Sequence, residues 1–253
     1  MIAGAQLYTV REFCKTPEAL EETLKKVADI GYTSVQLSGT CAYDPEWIAG
    51  KLRENGLVCA ITHYDKNKIA QEPEKTVADH KVFGCKYVGI GSMPGALGKP
   101  EDYDDFVAAY LEPARKIAQA GGYFMYHNHN MEFMKAPDGM LYIEKLAEAF
   151  SPAEMGFTLD TYWVQYGGGD PAQWIEKLSG RVPCIHVKDM ACVARQPRMA
   201  VVGEGNINFD RVFEKAEAAG TEYVLVEQDD CYGEDPFDCL ARSYSYLKAN
   251  GID

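Results

Sequence analysis

The chain has 253 residues, of which 47% are hydrophobic and 25% are charged, a composition typical of a soluble globular protein. Its formal net charge of −13 disfavours nucleic acid as a partner, because a phosphate backbone would meet a repulsive surface. No apolar run approaches the roughly 18 residues of a membrane span, so we expect no membrane partner.

The cysteines and the N-terminal segment indicate the compartment. None of the eight cysteines stand in CxxC spacing, and several lie inside predicted strands or helices. The opening sequence MIAGAQLYTVREF has no basic segment followed by an apolar one, unlike a signal peptide. We therefore expect reduced thiols and a cytoplasmic protein.

Short apolar runs alternate with longer amphipathic stretches from one end of the chain to the other. Nearly continuous apolar runs are typical of strands that are buried on both faces of a parallel sheet. Eight such runs are predicted strands: Ile2–Tyr8, Ser34–Gly39, Leu57–His63, Tyr87–Ser92, Tyr123–His129, Gly156–Asp160, Cys184–Asp189 and Tyr223–Asp229.

Helices are predicted between these strands, and three of them share one start signal. A capping residue is followed by proline at the first helical position in each case, the caps being Thr16, Asp44 and Asp170. A glycine marks the end of each: Gly31, Gly56 and Gly180. Further helices are predicted over residues 72–83, 103–120, 141–149, 209–219 and 236–250.

The succession of eight β–α units without a long linker predicts a closed (β/α)8 TIM barrel, formed by residues 1–253 as one domain. The competing architecture is an open doubly wound sheet, which usually has fewer strands and a glycine-rich turn after the first one. The segment after the first strand, YTVREFCKT, contains no glycine. The pattern therefore favours the barrel.

Histidines gather at the C-terminal ends of the predicted strands, where parallel barrels place their functional groups. Of the five histidines in the chain, only His80 is expected on a helix. The others end strands: His63, His127, His129 and His186. Any one of them is as readily explained by an ordinary hydrogen bond at a strand end, but four at one rim indicate a site.

Carboxylates stand at the same rim. Asp160 and Glu227 directly follow apolar runs, and Glu132 lies just beyond the fifth strand. Burying an unpaired carboxylate costs several kcal/mol, so a compensating cation is expected, either a metal ion or Lys188. Imidazole mixed with carboxylate, without thiolate, suits Mn2+, Co2+, Zn2+, Mg2+ or Fe2+.

The alternation of side chains along a strand predicts which residues face the same way. His127 and His129 share one face, opposite to Asn128. His186 and Lys188 likewise share a face. If His186 points inward, Lys188 does so one layer higher, closer to a bound substrate.

Five segments, in order, resemble the xylose isomerase-like TIM-barrel superfamily: YHNHNMEF, LDTYW, CIHVKD, VGEGNINF and LVEQD. This group comprises sugar-phosphate isomerases and epimerases, apurinic endonucleases and inosose dehydratase. The resemblance extends from about Ile2 to Leu247. It implies one divalent metal ion, most often Mn2+, held at the ends of strands five to eight.

The resemblance also implies which residues hold that ion. Three ligands correspond directly: Asp160, His186 and Glu227. The strand-five ligand is open, because many members have a glutamate where this chain has His127, whereas the subgroup with HNH followed by EF offers Glu132. We predict Glu132 as the ligand, with His127 or His129 facing the substrate.

One position departs from the epimerases of the superfamily. These often have a histidine three residues after the strand-six aspartate, where this chain has Trp163. Trp163 is either a flat wall for a sugar ring or an aromatic residue packed at the rim, and both interpretations stay open.

The predicted function is proton transfer on a sugar or keto-sugar, by a metal-dependent isomerase or epimerase that forms a metal-stabilised enediolate. Glu132 and Glu227 are the candidates for base and acid. Lys188 and His63 are expected to bind substrate oxygens. Such barrels frequently form dimers or tetramers, so a homo-oligomer is possible.

Two other functions compete with this prediction. The same enolate chemistry leads to elimination when a leaving group lies β to the carbonyl, which would make the protein a dehydratase or lyase acting on a keto-sugar or inosose. A non-catalytic sugar-binding barrel is less consistent with ligand candidates on four consecutive strands. Endonuclease activity is disfavoured, because DNA-cleaving members use several metals with more histidines.

Overall fold

The computed structural model describes all 253 residues, and its centre is a closed barrel of eight parallel strands. The first seven barrel strands pair in chain order, and the eighth, β10, closes the ring between β7 and β1. The strands are β1 (Ile2–Gln6), β2 (Ser34–Leu37), β3 (Val58–His63), β4 (Tyr87–Ile90), β5 (Tyr123–His127), β6 (Met155–Asp160), β7 (Cys184–Val187), β8 (Asp189–Val193), β9 (Gln196–Ala200) and β10 (Tyr223–Val226). All eight predicted strands are therefore confirmed as barrel strands, and six of them end two or three residues earlier than predicted.

Helices occupy the connections between the barrel strands. They are α1 (Pro17–Ile30), α2 (Pro45–Glu54), α3 (Lys66–Gln71), α4 (Pro73–Val82), α5 (Glu101–Gln119), α6 (Tyr142–Ala149), α7 (Thr161–Tyr166), α8 (Pro171–Lys177), α9 (Phe209–Ala218) and α10 (Pro236–Ala249). Two 3-10 segments follow β1 and β5, at Leu7–Phe13 and Met131–Phe133. No helix is both long enough and apolar enough to cross a membrane.

The three predicted proline-containing helix starts form as the sequence indicates. The Thr16 hydroxyl accepts a hydrogen bond from the Ala19 amide at 3.2 Å. The carboxylate of Asp44 accepts from two amides of α2, and that of Asp170 accepts from the Gln173 amide at 3.2 Å. Each cap satisfies amides that the first helical turn leaves without a partner.

The barrel strands carry an apolar layer below their polar ends. On four strands, a buried residue lies two positions before the polar residue at the C-terminal end, and these buried residues pack together. Because side chains alternate along a strand, the buried residue and the polar residue of each pair point to the same face. The pairs, apolar residue first, are Ile61 with His63, Met125 with His127, Cys184 with His186, and Leu225 with Glu227. The polar residues of the site described below therefore lie directly above a packed apolar layer.

A β-hairpin follows β7, and the sequence did not predict it. Strands β8 and β9 pair antiparallel between Asp189 and Ala200, and the turn residues Ala194 and Arg195 have φ values of 49° and 66°. Asp189 fixes the next segment, because its carboxylate accepts hydrogen bonds from the amides of Gly203, Gly205 and Ile207. The hairpin is thereby anchored beside the end of β7.

His80 joins α4 to the barrel wall as a buried neutral imidazole. Its Nδ1 lies 2.7 Å from the Thr76 carbonyl oxygen, which can only accept, so Nδ1 donates. Its Nε2 then accepts from the Thr62 hydroxyl on β3, at 2.8 Å. Burial lowers the pKa of His80 from 6.5 to about 4.

This depressed pKa predicts an acid-sensitive contribution to stability. Between pH 6.5 and about 4 the unfolded chain binds a proton at His80 and the folded chain does not, so the stability present above pH 6.5 is lost on acidification. The expected loss is about 3 kcal/mol. Urea unfolding of the wild type and of His80→Gln, each with EDTA, measures it as the difference in pH slope across this window. Parallel pH profiles for the two proteins would contradict the assignment.

Candidate metal centre and active site

Four side chains from four neighbouring strands converge at the C-terminal mouth of the barrel. One ligand atom from each lies within 4.8 Å of the others, and all four residues are buried. They are His127 at the end of β5, Asp160 at the end of β6, His186 on β7 and Glu227 directly after β10. The strand register places Asp160 beside His186, whereas His127 pairs with Thr158 and Leu225 pairs with His186, so the four side chains converge from neighbouring levels of the barrel.

Fixed hydrogen bonds orient both imidazoles of this cluster. His127 Nδ1 lies 2.9 Å from the Gly91 carbonyl oxygen and therefore donates to it, which leaves the Nε2 lone pair facing Asp160 at 3.3 Å. His186 Nε2 lies 2.6 Å from Oε1 of Gln36 on β2, which leaves Nδ1 facing the carboxylates. An outer hydrogen bond that sets the tautomer is the usual arrangement for a metal-binding histidine.

The donor set fits a divalent metal ion. His186 Nδ1 and Glu227 Oε2 are 2.8 Å apart, yet both are buried without a properly oriented hydrogen-bond partner. Buried polar atoms that converge without hydrogen-bonding to one another form a place where a further group, such as a metal ion, can bind. Two imidazole nitrogens and two carboxylates are ligands that suit Mn2+, Fe2+, Co2+ or Zn2+.

Lys188 adds a positive charge above the cluster. Its ammonium is 3.2 Å from Asp160 Oδ2, 3.0 Å from Glu227 Oε2 and 3.0 Å from Asp229 Oδ2. Burial alone would lower the pKa of Lys188, but these carboxylates raise it above its usual range. One ammonium among three carboxylates leaves the pocket short of positive charge, which a metal ion would supply.

The charges of the cluster are strongly coupled. Burial opposes ionisation of Asp160, yet Lys188 and the imidazoles hold its pKa below the usual range. Burial likewise opposes protonation of His186, but Glu227 and Asp160 raise the pKa of His186 to about 9. Burial and the neighbouring Glu227 raise the pKa of Asp229 to about 6. The carboxylates that would bind a cation therefore also favour the protonated, positively charged form of the His186 imidazole.

Glu132, which the sequence predicted as the strand-five ligand, does not join the cluster. Its Oε1 accepts from the Tyr126 hydroxyl at 2.5 Å, and its Oε2 accepts from the His129 amide at 2.8 Å. The chain leaves β5 after His127 and turns back through a 3-10 segment, which brings Glu132 against the outer face of the strand. His127 stands at the strand-five place in the cluster instead, and burial raises the pKa of Glu132.

A polar cavity of about 350 Å³ opens above the cluster. Its lining has a single hydrophobic residue and comprises Tyr8, Ser38, Gly39, His63, Gly91, Ser92, His127, His129, Lys188, Glu227 and Asp229. His63 Nδ1 lies 3.2 Å from the Ser38 hydroxyl, while its Nε2 and His129 Nδ1 have no partner. Such unpaired buried atoms are places where a ligand with hydroxyl groups can bind.

Two of the cavity histidines, His63 and His129, are held neutral. Burial, followed by the neighbouring His127, lowers the pKa of His129 to about 3. Burial and the imidazoles of His127 and His186 lower the pKa of His63 well below its usual value. Trp163 borders this region, since its ring centroid lies 5.3 Å from that of His129.

The match to known proteins extends over most of the chain. The sequence model of the family described as xylose isomerase-like TIM barrel matches residues 24–248.

The protein belongs to this family.

Individual relatives of this xylose isomerase-like barrel are distant. Inosose dehydratase of Geobacillus kaustophilus is 23% identical, over 90% of this chain and 84% of the relative. A crystal structure of a sugar phosphate isomerase/epimerase from Parabacteroides distasonis superimposes with a TM-score of 0.80 and 22% identity, covering 98% of this chain and 93% of the other. An L-ribulose 3-epimerase gives 0.75 and 14%, covering 98% and 94%. At identities this low, the structural similarity establishes only the shared fold.

Several groups at the site of this family member were not among the sequence-predicted site residues, and three of them contact predicted ones through their side chains. Gln36 orients His186, Ser38 contacts His63, and Asp229 pairs with Lys188. Gln36 had a signal, since it is a polar residue inside the apolar run SVQLSG. The role of Asp229 depends on a contact with Lys188, 41 residues away, and no local pattern indicates it.

Proposed function

We propose that this protein is a divalent-metal-dependent isomerase or epimerase that transfers a proton on a sugar or keto-sugar. The observation that supports it is the convergence of two imidazoles and two carboxylates below a polar cavity of about 350 Å³. That volume is at the small end of ligand-binding cavities and suits a molecule of monosaccharide size. The family match supports enzymatic activity of this general kind.

The proposed ligands of the metal ion are His127, Asp160, His186 and Glu227. Mn2+ is the proposed ion, and when bound it would supply Lewis acidity that favours negative charge on the substrate oxygens. Glu132 is not among the proposed ligands, because both of its oxygens are engaged by Tyr126 and His129.

Glu227 is the proposed base. Burial would raise its pKa, but Lys188 and His186 hold that pKa well below the usual value, so the carboxylate is ionised at neutral pH. It lines the cavity and can accept a proton from a carbon next to the substrate carbonyl. Return of the proton to the neighbouring carbon gives isomerisation, and return to the opposite face of the same carbon gives epimerisation.

Other cavity residues bind and orient the substrate in this proposal. The Lys188 ammonium donates hydrogen bonds to the oxygen that becomes negative as the proton leaves. His63 Nε2 and His129 Nδ1, both without a partner, bind hydroxyl groups. Glu132 does not line the cavity, so it is not proposed as the second proton carrier that epimerisation needs.

A dehydratase acting on a keto-sugar or inosose is the second candidate. The similarity to inosose dehydratases, which extends over 90% of the chain, favours it. A single carboxylate base such as Glu227 can start an elimination when a hydroxyl lies β to the carbonyl, so the same residues serve both reactions.

Deuterium exchange tests the proposal. The EDTA-treated protein, with and without added Mn2+, is incubated in D2O with ketoses, keto-sugars and inososes, and the products are examined by NMR and mass spectrometry. We expect Mn2+-dependent deuterium uptake at a carbon next to the carbonyl. Product lighter than the substrate by one water identifies the dehydratase. Absence of both changes across the panel, with Mn2+ present, contradicts both candidates.

A further inference from the structure

Three aromatic side chains of α7 form a shelf beside the cavity: Tyr162, Trp163 and Tyr166, hereafter the aromatic shelf. The ring centroids of Trp163 lie 5.0 Å from those of Tyr162 and 5.7 Å from those of Tyr166. Tyr162 is buried, whereas Tyr166 has 47% of its surface exposed. The shelf therefore leads from the interior of the barrel mouth to solvent.

The shelf adjoins the cavity through Trp163, and a hydrogen bond joins it to the proposed metal centre. Asp160 caps α7, since its Oδ1 accepts from the Trp163 amide at 3.0 Å while its Oδ2 belongs to the cluster. Two cavity residues contact the indole: the His129 ring at 5.3 Å and the Lys188 ammonium at 5.5 Å from the ring centroid. A ligand that extends out of the cavity past these two residues meets the shelf next.

The shelf has a buried hydrogen-bond donor without an acceptor and an exposed aromatic ring, and both can contact a ligand. The indole N–H of Trp163 is buried and has no acceptor. Tyr166 presents an exposed ring beside it. The Tyr166 ring is inclined by 69° to the indole, so the two rings form an aromatic corner rather than one plane, and a flat apolar group can stack on the exposed tyrosine face.

The charges of the cavity argue against a phosphate on the substrate. Lys188 is the sole cationic residue of the lining, and three carboxylates surround its ammonium. The nearby Arg11 is also engaged, because its guanidinium donates to the carbonyls of Tyr8 and Asp229 and lies 4.4 Å from the centroid of the Tyr8 ring. A phosphate dianion would meet carboxylates without a free cation to bind it.

We infer that the substrate is an uncharged keto-sugar that bears a flat aromatic substituent, with the sugar in the cavity and the substituent on the aromatic shelf. This inference rests on the proposed function, since it assigns the substrate class of the same site. It makes the protein an enzyme of glycosides with an aromatic aglycone rather than of sugar phosphates. Trp163 is then a binding surface, one of the two roles that the sequence left open.

Binding of simple glycosides tests the inference independently of catalysis. Titration calorimetry of the Mn2+-loaded protein compares 4-nitrophenyl with methyl glucopyranoside, in both anomers, and with glucose 6-phosphate. We expect the aryl glycoside to bind about tenfold more tightly than the methyl glycoside. Tyr166→Ala is expected to remove most of that preference. Val82→Ala, which removes exposed apolar surface from α4, serves as the control and should leave the preference intact.

Several results would overturn the inference: equal affinity for the two glycosides, no binding of either, tighter binding of glucose 6-phosphate, or a preference that survives in Tyr166→Ala. The proposed function is judged separately by Mn2+-dependent deuterium exchange on unsubstituted keto-sugars. Exchange without an aryl preference removes the inference and leaves the function standing. Loss of exchange with the preference intact does the reverse.

Discussion

Replacement of His127 by alanine is expected to weaken Mn2+ binding by about 100-fold or more, whereas Glu132→Gln should leave the affinity within about threefold of the wild type. His127 contributes one of the four converging ligand atoms, and its tautomer is fixed by the Gly91 carbonyl. Glu132 faces Tyr126 and the His129 amide on the other side of the strand. Glutamine has the same shape and can still accept from that amide.

Titration of the EDTA-treated protein with Mn2+, followed by electron paramagnetic resonance of the free ion, measures both affinities. His127→Gln is a second variant that keeps the volume of the site, in case the alanine leaves a cavity. Thermal unfolding without metal verifies that each variant folds. Equal losses in Glu132→Gln and His127→Ala would restore Glu132 as the ligand, the assignment that the sequence favoured.

The contrast between these two residues shows where prediction from the sequence stops. The strand ends are legible, because an apolar run that stops at His127, Asp160 or Glu227 marks the rim of a parallel barrel. The direction of a side chain beyond the end of a strand cannot be predicted in this way. Glu132 lies five residues after His127, and its position depends on how the intervening turn folds, which no periodicity describes.

Contacts between strands that are distant in the sequence could not be predicted from local patterns either. Gln36 binds His186 across 150 residues of chain, and the apolar run around Gln36 indicated only that it was buried. The sequence did not predict the β8–β9 hairpin for a different reason. Its turn uses Ala194 and Arg195 with positive φ, where asparagine and glycine would have given the usual hairpin signal. The barrel itself needed only local patterns, and those sufficed.

The roles of the two cluster carboxylates should separate when the metal ion is in excess. Asp160→Asn is expected to lower Mn2+ affinity, yet to regain an exchange rate within about tenfold of the wild type at saturating Mn2+. Its Oδ1 can still cap α7, and it has no assigned part in proton transfer. Glu227→Gln should stay about 1000-fold below the wild type at any Mn2+ concentration, because an amide cannot accept the proton.

This comparison isolates the base from the ligand, which a single variant could not do, since Glu227 has both proposed roles. The rate of deuterium exchange is measured for the wild type, Asp160→Asn and Glu227→Gln across a Mn2+ titration, with the plateau as the readout. Recovery of Glu227→Gln to the plateau of Asp160→Asn would make Glu227 a ligand only. The base would then be sought at His63, whose Nε2 faces the cavity without a partner.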